Sequence, residues 1–215
     1  MLEWAFEGTG LDLATLRSSP NGVQVPSPAQ RYRKWETGLL RPDGKPGFPT
    51  PTGKYEIASS LLAKFGYEPL PVFVPPTEGP LADSALIDRF PLVFNSGARN
   101  KVFFNSQHHN IAGLARQRPR PLVWIHPSDA GARGISNGDP VDIVSPRGRA
   151  RFQAFLTEDI MAGSVEADAH GGNPNAADPW RHCNVNELTD AENRDLISGF
   201  PVYKALLCDV MKAGS

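Results

Sequence analysis

Short apolar segments separated by turn residues dominate the chain beyond residue 85. Six of them have the length and composition of strands, and they are residues 90–94, 122–125, 140–145, 149–156, 164–168 and 206–211. Residues 149–156 alternate arginine or glutamine with alanine or phenylalanine, which is the period of a strand with one buried face. Because a closed barrel removes the unpaired edges of short strands, the pattern predicts a mainly β fold built on a six-stranded barrel.

Turn and helix signals connect the predicted strands. Residues 145–148, Ser-Pro-Arg-Gly, have the composition of a tight hairpin turn between the third and fourth strands. Short helices are predicted at 127–132, where Pro127 favours a first turn, and around 109–115. The predicted fold is therefore a β-barrel with short helices.

The region before residue 85 has a different pattern. Residues 3–17 have the spacing of one amphipathic helix, or of a helix pair broken at Gly8 and Gly10. Residues 18–53 are rich in proline and glycine and have no long periodic run, which predicts an irregular arm that lies over another surface.

A strand-and-helix pattern follows the predicted arm. Residues 54–67 predict a short strand and then a helix that ends at Gly66, and residues 69–80 form a proline-rich connector. The sequence therefore predicts an N-terminal extension over residues 1–84 and a barrel domain over residues 85–215.

Composition excludes some classes of partner. The formal net charge of the 215 residues is −1, so bulk charge does not favour a nucleic-acid binder. No apolar run approaches the ~20 residues of a membrane span, and the N-terminus lacks the basic and then apolar order of a signal peptide. We expect a soluble chain with no direct membrane insertion, in a compartment that the sequence leaves open.

Few residues suggest chemistry carried out by the chain alone. Cys183 and Cys208 belong to no C-x-x-C pair, so we expect reduced thiols that fill apolar space. His108 and His109 are adjacent but have no third ligand at a recognisable spacing, so no protein-bound metal is predicted. No nucleophile or acid–base pair is evident either, and the sequence predicts no catalytic residue.

The segment 94–110, FNSGARNKVFFNSQHHN, is unusually polar for a sequence that follows an apolar strand. It lies in the interval 89–128, which has no acidic residue and six basic ones: Arg89, Arg99, Lys101, Arg116, Arg118 and Arg120. Either an anionic ligand or a solvated basic face would explain this. Gly97 favours the ligand, because glycine lets backbone amides approach phosphate closely. There is no G-x-G-x-x-G or P-loop sequence.

Several ordered motifs carry a resemblance to a known family. They are NSGARNKVFFNSQHHN at 95–110, WIHPSDAGARGISNGDPVDIVSPRGRARFQAFLTEDIMAGSVEADAHG at 124–171 and NVNELTDAENRDLISGFPVYKALLCDVMK at 184–212. Together they resemble the C-terminal cofactor-binding domain of the molybdopterin oxidoreductases, the dimethyl sulfoxide reductase superfamily. This superfamily includes formate dehydrogenases, thiosulfate and polysulfide reductases and acetylene hydratase. Residues 48–76 resemble the segment that precedes that domain.

The resemblance implies a fold, a ligand and partners. The fold is a double-psi β-barrel, and the ligand is a bis-molybdopterin guanine dinucleotide with molybdenum or tungsten, bound jointly with the rest of a parent enzyme. An iron–sulfur cluster would belong to the missing N-terminal region. The partners would be the N-terminal domains of the parent catalytic subunit and an iron–sulfur electron-transfer subunit, and the chain alone would be inactive. A stand-alone barrel that serves protein interaction or small-molecule binding is the alternative.

The resemblance also implies which residues bind the cofactor. They are Ser96, Gly97, Arg99, Ser106, Gln107, Asn184, Asn186, Tyr203 and Lys204, together with Asn105, which stands where many relatives have histidine. His170 is a further candidate because it follows a predicted strand, and a buried structural histidine is the alternative. On the sequence alone, the two asparagines at 184 and 186 could equally be loop caps. The segment Gly171-Gly172-Asn173 stands where many relatives have Gly-Trp-Trp, so we expect a more open or differently packed wall there.

Overall fold

A computed structural model describes residues 2–25, 29–79, 81, 83–97, 100–176 and 178–214. The chain divides into two compact units, Met1–Phe73 and Val74–Ser215. The predicted division between residues 84 and 85 stays a prediction.

Three short helices lie in the first unit: α1 (Leu2–Phe6), α2 (Leu13–Ser18) and α3 (Ser60–Lys64). The first two are the predicted helix pair, and positive φ angles of 80° at Gly8 and 74° at Gly10 separate them. The Asp12 side chain begins α2 by accepting a hydrogen bond of 2.7 Å from the Thr15 amide.

The predicted arm, 18–53, has no helix or strand beyond Ser18 among its described residues, but it has local order. Trp35 and Phe48 stack with their ring centroids 6.0 Å apart. The strand predicted just after the arm is wrong. The carboxylate of Glu56 accepts hydrogen bonds from the Thr52 amide (3.2 Å) and the Ser60 amide (3.0 Å), so the backbone curls into α3 and does not extend.

The second unit holds four more helices and all the described strands. The helices are α4 (Ser84–Arg89), α5 (Ala112–Ala115), α6 (Pro127–Gly131) and α7 (Asp178–Arg181), together with one 3₁₀ helix (Val185–Leu188). The strands are β1 (Leu92–Asn95), β2 (Leu122–Ile125), β3 (Pro140–Val144), β4 (Arg149–Leu156), β5 (Ser164–Ala167) and β6 (Lys204–Lys212). Each lies on one of the six predicted segments.

The six strands close into a barrel in the order β1-β5-β2-β4-β3-β6. The pairs β1–β5 and β2–β4 are parallel, and the other four pairs are antiparallel. When β1, β2 and β3 are exchanged for β4, β5 and β6, the same six pairings result, each with the same sense. This internal two-fold pattern confirms the predicted barrel and its double-psi connectivity.

The barrel interior is filled by the apolar faces of its strands. Val123, Ile125, Val141, Ile143 and Val165 have no solvent exposure. In β4 the inward residues are the three that the alternation predicted, Ala150, Phe152 and Ala154. The predicted hairpin turn joins β3 to β4, where the Ser145 amide donates to the Gly148 carbonyl at 2.9 Å.

Candidate functional site

Strand direction brings three separate parts of the sequence to one end of the barrel. Because β1 and β5 are parallel, their carboxyl ends lie at the same end, and the amino end of the antiparallel β6 joins them. Ser96 follows β1, and its amide donates to the carbonyl of Tyr203, just before β6, at 3.3 Å. His170 lies in the segment that leaves β5.

A cavity of about 410 Å³ opens at this end of the barrel. It is lined by Ser96, Gly97, Asn105, Ser106, Ala169, His170, Gly171, Asn184, Val185, Asn186 and Tyr203. Eight of these residues are among the predicted site residues, and they come from four separate segments of the sequence. The structure therefore brings most of the predicted site residues together around one space.

Three predicted residues are not part of this lining. Arg99 lies outside the described residues. The side chain of Gln107 is exposed in the same loop as Ser106. The backbone amide of Gln107 donates to the Phe104 carbonyl at 3.0 Å. Lys204 is the first residue of β6, where it pairs with Asn95 beside the cavity end.

Gly97 shapes the cavity by allowing two strand ends to approach closely. A Cβ atom at this position would collide with the carbonyl oxygen of Ala167 and lie 3.1 Å from its carbonyl carbon. The φ angle of +32° is also one that side chains disfavour. Glycine is therefore required for the turn after β1 to lie against the end of β5.

A bulge in β6 gives the cavity end its shape on the other side. Asn95 pairs with Lys204 while Phe94 pairs with Leu206, so Ala205 is the extra residue, and its φ angle is +58°. A bulge of this kind bends a strand and increases its local twist. Here it sets the direction in which β6 begins, immediately after Tyr203.

Two residues that line the cavity hold backbone conformations that side chains rarely adopt. The φ angle is +52° at Asn105 and +81° at His170. Such conformations persist only where the surrounding structure enforces them, and they concentrate at ligand-binding and catalytic sites.

The glycine pair at 171 and 172 packs tightly against the segment before the 3₁₀ helix. A Cβ atom on Gly171 would lie 2.8 Å from the Cys183 carbonyl oxygen, and one on Gly172 would lie 2.5 Å from the Asn184 Cβ. A residue larger than glycine would therefore meet the Cys183 backbone at position 171 and the Asn184 side chain at position 172.

Asn184 caps the 3₁₀ helix, which is one of the two roles that the sequence left open. Its Oδ1 accepts a hydrogen bond from the Asn186 amide at 3.1 Å, and its Nδ2 donates to Glu187 Oε1 at 3.2 Å. Asn186 is exposed at the cavity. Capping by the first asparagine thus orients the helix that carries the second.

His109 is a buried residue for which the sequence predicted no role. Its ring lies between Phe103 and Trp180, at centroid distances of 4.4 Å and 4.6 Å, and is 3% exposed. Neither ring nitrogen has a hydrogen-bond partner among the described residues. Burial, and then the nearby His170, lower the pKa of His109 below its ordinary value. Only the apolar neighbours Val102 and Phe103 could have suggested that this loop folds inward.

The described basic residues of the interval 89–128 have different surroundings. Arg118 makes a bidentate ion pair with the buried Asp168, with contacts of 2.9 Å. Lys101 and Arg118 line a second cavity, of about 330 Å³, which also includes Trp124 and Glu166. The lack of acids in the sequence interval did not show that Asp168, from a distant segment, neutralises Arg118.

Three further sequence expectations concern the cysteines, metal binding and membrane insertion. Cys183 and Cys208 are free and buried, as expected, and burial raises the pKa of Cys183 to about 12. The described residues include no group of three histidine, cysteine or acidic side chains that could hold a metal ion. None of the helices in the described part of the chain has the length and hydropathy of a membrane span.

The lining of the cavity fits a heterocyclic ligand better than a simple ion. Hydroxyl and amide side chains both donate and accept hydrogen bonds, and the lining includes two serines, three asparagines and a tyrosine. Such a set matches the mixed donor and acceptor edges of a pterin or a purine. Gly97 and Gly171 also line the cavity, where they present no side chain.

Comparison with known proteins agrees with this chemistry. Residues 92–207 match the family described as the Molydopterin dinucleotide binding domain, and this match spans more than half of the chain. The chain belongs to this family of molybdopterin dinucleotide-binding domains, which is the family that its motifs resemble.

Individual relatives are members of the same superfamily. The chain is 31% identical over 148 residues to acetylene hydratase of Syntrophotalea acetylenica, with 66% of the chain and 20% of the relative aligned. It is 35% identical over 212 residues to the putative dimethyl sulfoxide reductase chain YnfE of Escherichia coli K12, with coverages of 89% and 24%. The solved structure of acetylene hydratase from Pelobacter acetylenicus shares the fold, with a TM-score of 0.71, 24% identity and coverages of 80% and 25%. The chain thus spans a fifth to a quarter of these relatives.

Proposed function

We propose that the chain forms one wall of a bis-molybdopterin guanine dinucleotide site in a larger molybdenum or tungsten oxidoreductase. The observation that carries this proposal is the convergence of eight predicted site residues, from all three sequence motifs, on one cavity at the end of a family barrel. The cofactor would supply the redox metal when bound, while this chain binds and orients the organic part.

Specific side chains have the chemistry for this role. Ser96, Ser106 and Tyr203 would offer hydroxyl groups to the ring edges, and Asn105 and Asn186 would offer amides. Lys204, exposed at the start of β6, would supply positive charge to a pyrophosphate. Arg99 would do the same, a role that rests on its motif alone. In this proposal Asn184 acts mainly through its cap on the 3₁₀ helix.

The remaining parts of the site would come from the rest of the parent polypeptide. Relatives are four to five times longer than the aligned segment, so the metal ligand, the substrate funnel and an iron–sulfur cluster would lie there. Exposed apolar side chains beside the cavity suit an interface with those domains, namely Phe104, Leu196, Ile197 and Phe200. Phe200 packs against Tyr203 of the lining, with ring centroids 5.7 Å apart. An iron–sulfur electron-transfer subunit is a further proposed partner.

A protein-interaction module is the second candidate, because those same apolar side chains are 56–84% exposed. The two candidates differ in what the purified parent protein contains. Releasing any bound cofactor and chromatographing it should give a guanine nucleotide in stoichiometric amount with molybdenum or tungsten. Finding neither in the folded parent would favour the interaction module. The isolated 215-residue chain should show no redox turnover, and metal-dependent turnover by it would contradict a shared site.

A further inference from the structure

Arg147 lies in the hairpin turn between β3 and β4, outside the cavity lining, yet it contacts two distant segments of the chain. Its guanidinium forms an ion pair with Glu78, in which Nη1 lies 3.1 Å from Glu78 Oε2. Its Nε lies 3.5 Å from Asp190 Oδ2, and its Nη1 lies 3.5 Å from the Leu188 carbonyl oxygen. We call these four residues the Arg147 clamp.

The Arg147–Glu78 pair of the clamp is largely removed from solvent, whereas the side chain of Asp190 is 42% exposed. The side chain of Glu78 is 11% exposed, and that of Arg147 is 20% exposed. When one member of a buried ion pair is removed, the other is left as an uncompensated charge, so the structure has to rearrange around it. The planar guanidinium can hold several acceptors in a fixed geometry, which a flexible lysine cannot do.

The neighbouring glycine brings the turn against the 3₁₀ helix. A Cβ atom on Gly148 would lie 2.8 Å from the carbonyl oxygen of Glu187. The turn therefore lies directly against the backbone of this helix, while Arg147 contacts its last residue, Leu188. On its other side the helix presents Asn186, and its cap Asn184, to the cavity.

We propose that Arg147 is a positioning residue for the cofactor cavity, acting through the 3₁₀ helix, and that Glu78 couples the connector before the barrel to this position. The cavity role of Asn184 and Asn186 rests on the proposed function. A shift of the connector at Glu78 would move the guanidinium and, with it, the two asparagines. The turn at 145–148, which the sequence explained fully as a hairpin, thus has a second role.

A double-mutant cycle in the 215-residue chain tests this coupling. The variants are Glu78→Gln, Arg147→Gln and the double substitution. The matched control is Arg133→Gln, because the ion pair of Arg133 with Asp209 has similar burial (18% and 30% exposed) and lies on the same barrel. NMR would follow the side-chain amides of Asn184 and Asn186, together with hydrogen exchange at the Glu187 and Thr189 amides, which bond to Asn184 and Asn186 carbonyls at 3.1 Å and 3.3 Å.

Each clamp variant should shift both asparagine side-chain signals and speed exchange at the two helix amides about tenfold, while exchange at Val123 and Ile143 stays as in the wild type. The double variant should resemble Arg147→Gln, because that single substitution already removes the contact with Glu78 as well as those with Asp190 and Leu188. Unmoved asparagine signals, a uniform loss of protection across the barrel, or an equal response in the Arg133 control would each overturn the proposal.

A conservative variant, Arg147→Lys, tests the proposal if Arg147→Gln does not fold. The lysine keeps a cation beside Glu78 but cannot reach Asp190 and Leu188 at the same time, so the NMR signals of the two asparagine side chains should still move. Unmoved signals would overturn the positioning role. All these readouts are made without cofactor. Failure of the proposed function would instead appear as missing guanine nucleotide in the parent protein, so the two failures are distinguishable.

Discussion

The barrel wall and the cavity end of the same barrel are built in different ways. The wall consists of alternating residues in regular strands, and its interior is apolar and fully buried. The cavity end holds four of the five described non-glycine residues with positive φ: Asn105, His108, His170 and Ala205. The wall thus owes its stability to packing, whereas the cavity end maintains strained backbone in a shape that packing alone does not require.

The largest loss of stability should come from a substitution in the barrel wall. Ile143 is fully buried in β3, so Ile143→Ala should lower the free energy of unfolding by about 3–4 kcal/mol through lost burial and a residual cavity. Chemical denaturation of the 215-residue chain measures this. Ile197, 56% exposed in the loop before β6, is the control, and Ile197→Ala should change stability by less than about 0.5 kcal/mol. Similar losses at both sites would refute the assigned difference between wall and cavity end.

An intermediate loss of stability is expected at Gly97, where the cavity end contacts the barrel wall. Gly97→Ala should cost about 2–3 kcal/mol, because the new methyl group collides with the Ala167 carbonyl and the φ angle is unfavourable. Gly163 also has a positive φ, +83°, but a methyl group added there would meet no atom within 4 Å, so Gly163→Ala should cost only about 1 kcal/mol. Equal losses of stability in the two variants would mean that the close contact between Gly97 and Ala167 does not require glycine.

A smaller change, an increase in stability, is expected from a substitution at the β6 bulge. Ala205 has φ of +58°, so Ala205→Gly should stabilise the chain by about 0.5–1 kcal/mol by relieving backbone strain. In α5, Ala115→Gly should instead destabilise by about 1 kcal/mol, because glycine weakens a helix. Thermal unfolding of the two variants compares the signs directly, and destabilisation by both would show that the bulge is unstrained.

The smallest expected effect is the contribution of His109 to the pH dependence of stability. The pKa of His109 is lowered in the folded state, so the unfolded chain binds its proton more readily. This residue therefore reduces stability as pH falls through its unfolded pKa near ~6.5. His109→Phe should weaken the loss of stability between about pH 7.5 and 5.5, measured by denaturation at each pH. An unchanged pH dependence in His109→Phe would contradict this account of the buried ring.

Sequence patterns predicted the wall more completely than the cavity end. Period-two alternation locates strands such as β4 because it reports directly on which residues are buried. The short strand expected before α3 was wrong, because the Glu56 carboxylate bonds local amides in a way that apolar spacing does not reveal. Eight lining residues were predicted, mainly from family motifs, since each motif fixes a position on the barrel.

Long-range pairing accounts for what the sequence missed. The partner of Arg118 is Asp168, fifty residues away, so a run without acids could not reveal its neutralisation. The contact of Arg147 with Glu78 spans sixty-nine residues and was hidden inside an ordinary turn sequence. The burial of His109 depends on Trp180 from another segment. Each of these contacts follows from the closed barrel and not from local composition.

The most direct test of the central claim measures cofactor retention in the parent enzyme. The variant combines Ser106→Ala and Asn186→Ala at the cavity. The control combines Ser136→Ala and Gln153→Ala, at positions away from the cavity. Metal and guanine nucleotide per polypeptide should fall at least about tenfold in the cavity variant after dialysis, since two lost hydrogen bonds to the ligand are worth at least that factor, and should stay at the parent level in the control. Equal retention in both proteins would contradict the assignment of this cavity as the cofactor site.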